Sequence, residues 1–142
     1  MITNFKCPIC HRRNTALVIS TQPILYLYPE EHLSFHICQK MGLDICDKFI
    51  EIASRYGTYS NEAINKLSEI VSTVKGLIAS KDVTLGNLIN EGEEIMRRAE
   101  NLCRDRKKDD YYKCLREKGI EEGRQKIIEA MISFYSQIGL YS

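Results

Sequence analysis

Along most of the chain, apolar side chains return every three or four positions, the repeat of a helix with one buried face. The first such stripe holds Cys38, Met41, Ile45, Phe49, Ile52 and Tyr56. Ahead of it, Pro29-Glu30-Glu31 places proline at a first helical position and acids in a first turn, so a helix is expected from about Glu30 toward Tyr56. Gly42 falls inside the stripe and marks either a kink or a break.

A second stripe, Ile64, Leu67, Ile70, Val71, Val74, Leu77 and Ile78, predicts a helix from Ser60 to about Ala79. After the joint Ser80-Lys81-Asp82-Val83-Thr84, with Thr84 as the expected N-cap, a third stripe runs through Leu85, Leu88, Ile89, Ile95, Met96, Ala99, Leu102 and Cys103. The charged knot RDRKKDD follows, either a turn between antiparallel helices or the solvated middle of one long helix. Cys114, Leu115, Ile120, Ile127, Ile128, Met131, Ile132, Tyr135 and Ile138 then carry the helical repeat to the C-terminus.

Only the first quarter departs from this rhythm. There NTALVIS and ILYLY are short β-favouring runs separated by Thr21-Gln22-Pro23, the pattern of a hairpin. The expected fold is therefore mainly α: a small stapled β-hairpin module at the N-terminus leading into a bundle of three to four helices. Residues 1–40 would form the knuckle, the hairpin and the start of the first helix, and residues 41–142 the bundle. At 142 residues this is a chain of ordinary domain size.

The chemistry-bearing residues crowd into that same first quarter. FKCPICH places Cys7 and Cys10 in a C-x2-C pair, and His32 and His36 stand four apart on the predicted helix, so both imidazoles project from one face. Two cysteines on a tight turn and two histidines on one helical face supply two opposite edges of a tetrahedron, which is what a zinc ion requires. Cys38 is a weaker candidate ligand than His36, because two residues along a helix is a rotation of about 200°. A redox dithiol would follow a strand and open a helix, whereas here a β-favouring run follows the pair. Covalent haem attachment fits C-x-x-C-H at His11, but the chain offers no export signal and no apolar pocket sequence around it.

A knuckle, a hairpin and a helix whose beginning donates the last two ligands resemble a treble-clef zinc module over about residues 5–40. FKCPIC is also similar to the opening of the two-cysteine, two-histidine finger, whose linker is much shorter than the one between Cys10 and His32. The resemblance implies a structural Zn2+ on Cys7, Cys10, His32 and His36. It identifies no family for residues 57–142.

The remaining cysteines read differently. Cys46 lies on the apolar side of its helix as a buried thiol. Cys103 and Cys114 flank the charged knot, and they would face each other and close a disulfide if that knot is a helical turn. Ile, Lys, Glu and Tyr are abundant and Trp is absent, a thermophile-like composition in which an intracellular disulfide is less surprising.

Charge narrows the partners. With 20 basic and 19 acidic side chains, no global field drives the chain onto nucleic acid or membrane. A local patch remains: Lys6, Arg12 and Arg13 flank the knuckle and are the candidate nucleic-acid-binding residues. Arg97, Arg98, Arg104, Arg106, Lys107 and Lys108 form a second cluster, but Asp105, Asp109 and Asp110 interleave with it in the manner of a solvated turn. Tyr111 and Tyr112 beside it are candidates for base stacking or for packing.

No run approaches the roughly 20 apolar residues of a membrane span, and no apolar signal core precedes Lys6, so a cytoplasmic protein without a membrane partner is expected. No catalytic set emerges: there is no glycine-rich phosphate loop, no serine nucleophile motif, and only His11 remains as a general base. The reading is a non-enzymatic zinc-binding protein that binds nucleic acid or regulates a nucleic-acid-processing complex. The alternative is a helical assembly subunit, homodimer or adaptor, in which the zinc only folds the N-terminus.

Overall fold

The computed structural model of the chain describes residues 6–10, 16–17, 25–26, 28–57 and 60–141. Among these, six helices follow in order: α1 Pro29–Lys40, α2 Asp44–Tyr56, α3 Asn61–Lys81, α4 Val83–Cys103, α5 Lys108–Glu117 and α6 Ile120–Tyr141. The expected three to four helices become six because two of them break at glycines. Gly42 (φ +67°) ends α1, with its N–H donating to Gln39 O, and Gly119 (φ +90°) separates α5 from α6. Both adopt the left-handed conformation that stops a helix and that a Cβ would strain. The knot of charges is a turn, Arg104 to Lys107, and not the middle of a long helix.

The expected β-hairpin module is not supported. The described residues show only a minimal antiparallel contact, Ala16–Leu17 against Leu25–Tyr26. A two-stranded ladder is marginal on its own even at full length. The rest of the predicted hairpin lies outside the described residues.

Side-chain caps open α3 and α4, whereas Leu43 and Lys107 precede α2 and α5 without one. Ser60 Oγ accepts from Ala63 N at 3.2 Å and opens α3. At the next joint Asp82, not Thr84, is the N-cap: its Oδ1 accepts from Leu85 N at 3.1 Å. One residue thus connects α3 to α4, and Asp82 Oδ2 also accepts from Gln137 Nε2 at 3.0 Å, fastening this corner to α6.

α4 and α6 share the most extensive helix contact, with α1 packed on α3 and α6, and α2 on α3. The α4–α6 crossing is close because Gly92 faces Gly123. A Cβ built on Gly92 would stand 2.5 Å from Gly123 O, and one on Gly123 2.6 Å from Gly92 O. In the main core Phe49, Phe134, Leu33, Ile70, Ile127 and Met131 are fully buried, and Phe35 meets Phe49 edge to face at 5.7 Å. Cys7, Leu33, Ile37 and Cys38 belong to this same cluster, so the knuckle and α1 are continuous with the helical core.

Three positions of the predicted apolar stripes face solvent instead. Tyr56, Ile64 and Leu102 are 60%, 47% and 60% exposed, each standing near a helix end where no neighbour covers the stripe. The start of α1 is tied to α6 by a buried ion pair, Arg124 Nε to Glu30 Oε2 at 3.1 Å, while the Arg124 guanidinium lies 4.6 Å above the Tyr28 ring.

Candidate metal centre

Four side chains bring their ligand atoms together between the knuckle and α1. One ligand atom each from Cys7, Cys10, His32 and His36 lies within 4.8 Å of all the others. His32 Nε2 is central, 3.2 Å from Cys10 Sγ and 3.1 Å from His36 Nε2. The edges of a tetrahedron drawn at zinc-like bond lengths are about 3.3–3.8 Å, so these separations are of the size a small metal ion would span.

Each ligand owes its position to a local feature of the sequence. Pro8 sits between the cysteines on a tight turn, and the turn aims the backbone N–H groups of Ile9 and Cys10 at Cys7 Sγ, at 3.4 and 3.5 Å. Such donors favour an anionic sulfur. His32 and His36 are one turn apart on α1, rings 4.7 Å apart and inclined by 69°. Tyr28 N donates to Glu31 Oε1 at 2.9 Å and fixes where that helix begins, hence the depth at which His32 is inserted. Ile9 packs on the main core, and Pro8 and Ile9 face Ile132 and Tyr135 of α6.

Burial sets the electrostatics. Cys7 and His32 are inaccessible, while Cys10 and His36 are half-buried. Burial raises the Cys7 thiol pKa against the lowering effect of the Cys10 and Ile9 amides, and burial lowers that of His36, which favours the neutral imidazole a metal binds. The arrangement offers two sulfurs and two nitrogens close enough together to hold a metal ion between the knuckle and α1.

Other sequence candidates are placed as follows. Lys6 is exposed at the edge of the knuckle; His11, Arg12 and Arg13 lie outside the described residues. Cys38 is buried on another face of α1, where its thiol meets Cys46 across the Gly42 break. The Cys46 pKa is pushed up to about 12, first by burial and then by Cys38, so both are inert buried thiols. That contact was not foreseen, because it depends on the chain reversing at Gly42. Cys103 and Cys114 are joined as a disulfide between the end of α4 and α5, with Cα atoms 5.8 Å apart. The amides of Ile9 and Cys10 also went unread in the sequence, although a C-x2-C turn supplies such donors routinely. No described helix is long and apolar enough to cross a membrane.

No family model, curated protein or solved structure matches the chain.

Proposed function

We propose that this chain is a non-enzymatic binding protein in which Cys7, Cys10, His32 and His36 hold a structural zinc ion, and the edge of that knuckle carries the protein to nucleic acid or to a nucleic-acid-processing complex. The observation that supports it is the convergence of two thiols and two imidazoles on one point. That donor set suits zinc, and four protein ligands leave no open position for a substrate or an activated water, so the ion would serve structure rather than catalysis.

The nucleic-acid part rests on charge at the knuckle. Lys6 is exposed beside the ligands, and Arg12 and Arg13 follow Cys10 closely in sequence. Metal at the site would hold this edge on the bundle and reduce the ordering cost of binding. The test is elemental analysis of protein purified without chelator, followed by titration with duplex DNA at rising salt. One zinc per chain and salt-sensitive binding that weakens in Arg12→Ala/Arg13→Ala are expected. Protein free of zinc removes the metal reading, and absence of duplex binding at low salt removes the nucleic-acid reading.

A second reading, an assembly subunit, draws on the large apolar side chains left in solvent, Val83 at 72% and Leu102 at 60% exposure. It expects a stable oligomer by light scattering; a monomer at high concentration counts against it.

A further inference from the structure

The cation cluster that the sequence groups over Arg97 to Lys108 is divided by the fold. Arg97 and Arg98 lie on α4 and are both paired with Glu94. Arg104 Nη2 donates to Asn101 Oδ1 at 2.9 Å. Beyond them the turn residues Arg106 and Lys107, and Lys108, Lys113, Arg116 and Lys118 of or next to α5, are all exposed. None of these six forms an ion pair with a described residue, although Asp105, Asp109, Asp110 and Glu117 share the segment. With Arg104 counted, residues 104–118 hold seven cations against these four acids, an excess of three positive charges in a chain whose total is +1.

Two further features accompany that charge. On the neighbouring face of α5, Tyr111 and Tyr112 stand edge to face with centroids 5.6 Å apart, at a groove of about 700 Å³ that also takes in Tyr28 and Arg116. Glu100 and Glu121 line the same groove and repel phosphate, so its interior admits an uncharged ring more readily than a nucleic-acid backbone. The hairpin is also stiffened: the Cys103–Cys114 disulfide lies in a small core of its own with Ala99, Leu115 and Ile120. Charges and rings held on a fixed platform lose little freedom on binding.

We propose that the disulfide-clasped α4–α5 hairpin is a second polyanion-binding surface, separate from the knuckle, that binds single-stranded nucleic acid through phosphate contacts from Arg106, Lys107, Lys108 and Arg116 and base stacking on Tyr111 and Tyr112. Cationic side chains tracking a backbone beside aromatic rings that stack its bases are the two parts such a surface needs. It uses residues that the knuckle reading does not.

The test is fluorescence anisotropy of the oxidised full chain with a labelled 20-nucleotide oligothymidylate, from low to moderate salt. Arg106→Ala/Lys107→Ala/Lys108→Ala should weaken binding tenfold or more and reduce the log–log salt slope by about 2, since each phosphate contact on a single strand contributes about 0.7. Tyr112→Ala should weaken the single strand by about tenfold and leave duplex binding unchanged. Circular dichroism and mass analysis of the disulfide verify that each variant is folded and oxidised. Unchanged single-strand binding in the triple variant overturns the proposal, and does so without touching the knuckle, whose own variant is Arg12→Ala/Arg13→Ala. Equal competition by polyglutamate at matched charge overturns it in favour of an acidic protein partner. Equal loss of single-strand and duplex binding in Tyr112→Ala overturns the stacking assignment.

Discussion

His36 Nε2 stands 3.1 Å from His32 Nε2, two ring nitrogens of one helix turned toward the same point rather than away from each other. Two imidazolium rings would repel at that separation, and burial already lowers the His36 pKa. A cation between the rings and the Cys7 and Cys10 sulfurs resolves the crowding. Chelation or His32→Ala is therefore expected to lower the melting temperature, and added zinc at about 100 times its dissociation constant to raise stability by about 2.7 kcal/mol. Calorimetry with and without zinc measures this; identical melting curves would show that the quartet binds no metal.

The Glu30–Arg124 pair joins the first turn of α1 to α6, with side chains only 11% and 8% exposed. Removing one partner leaves a charge stranded, which typically costs about 3–5 kcal/mol. Arg124→Met alone should approach that cost, and Glu30→Gln/Arg124→Met should recover much of it. A double-mutant cycle in urea reads the coupling.

Gly92→Ala forces a Cβ against Gly123 O and Ile127 at the α4–α6 crossing, and should destabilise by about 1–3 kcal/mol. Gly76→Ala is the control. Nothing lies within 4 Å of its added Cβ on the exposed side of α3, so better helix propensity should stabilise by up to about 1 kcal/mol. Opposite signs for the two substitutions, in parallel denaturation curves, are the expected result.

Asp82 caps α4, and its hydrogen bonds from Gln137 and then Leu85 hold its carboxyl below the ordinary aspartate range. A depressed folded-state pKa stabilises above the unfolded value, near 3.9, and the contribution is lost as pH falls through the folded-state value. Melting temperature should therefore drop on acidification below about pH 4. Asp82→Asn should flatten part of that drop. A profile from pH 2 to 6 that is the same for both proteins would show that the cap carries no such linkage.

Reducing Cys103–Cys114, which closes a loop at sequence separation 11, should cost about 3 kcal/mol if the loop-entropy account holds. The loss should be concentrated at α5, whose contacts with the rest of the molecule are few. Hydrogen exchange with and without reductant locates it. Uniform loss of protection across all helices would mean instead that α5 is integral to the main core.

The sequence by itself determined the helical character and the four side chains, Cys7, Cys10, His32 and His36, that come close enough to bind a metal ion. Apolar positions at three- and four-residue spacing can be buried together only on a helix face, and thiols two residues apart with imidazoles four apart are local geometries readable from spacing. Whether a stripe stays one helix, however, depended on Gly42 and Gly119, where glycine permits either continuation or reversal and the packing of both flanking segments decides. The hairpin module is not supported beyond the pairing of Ala16–Leu17 with Leu25–Tyr26, because β propensity alone does not supply the further strands or packing that a two-stranded ladder needs. Contacts between different helices left no trace in periodicity: Glu30 with Arg124, Cys38 with Cys46, Asp82 with Gln137. Spacing alone already pairs Glu94 with Arg97 and Arg98, three and four positions further along α4. Only the tertiary structure shows that Arg106, Lys107, Lys108, Lys113, Arg116 and Lys118 meet no ion-pair partner among the described residues, because a partner from another element is set by distance in space.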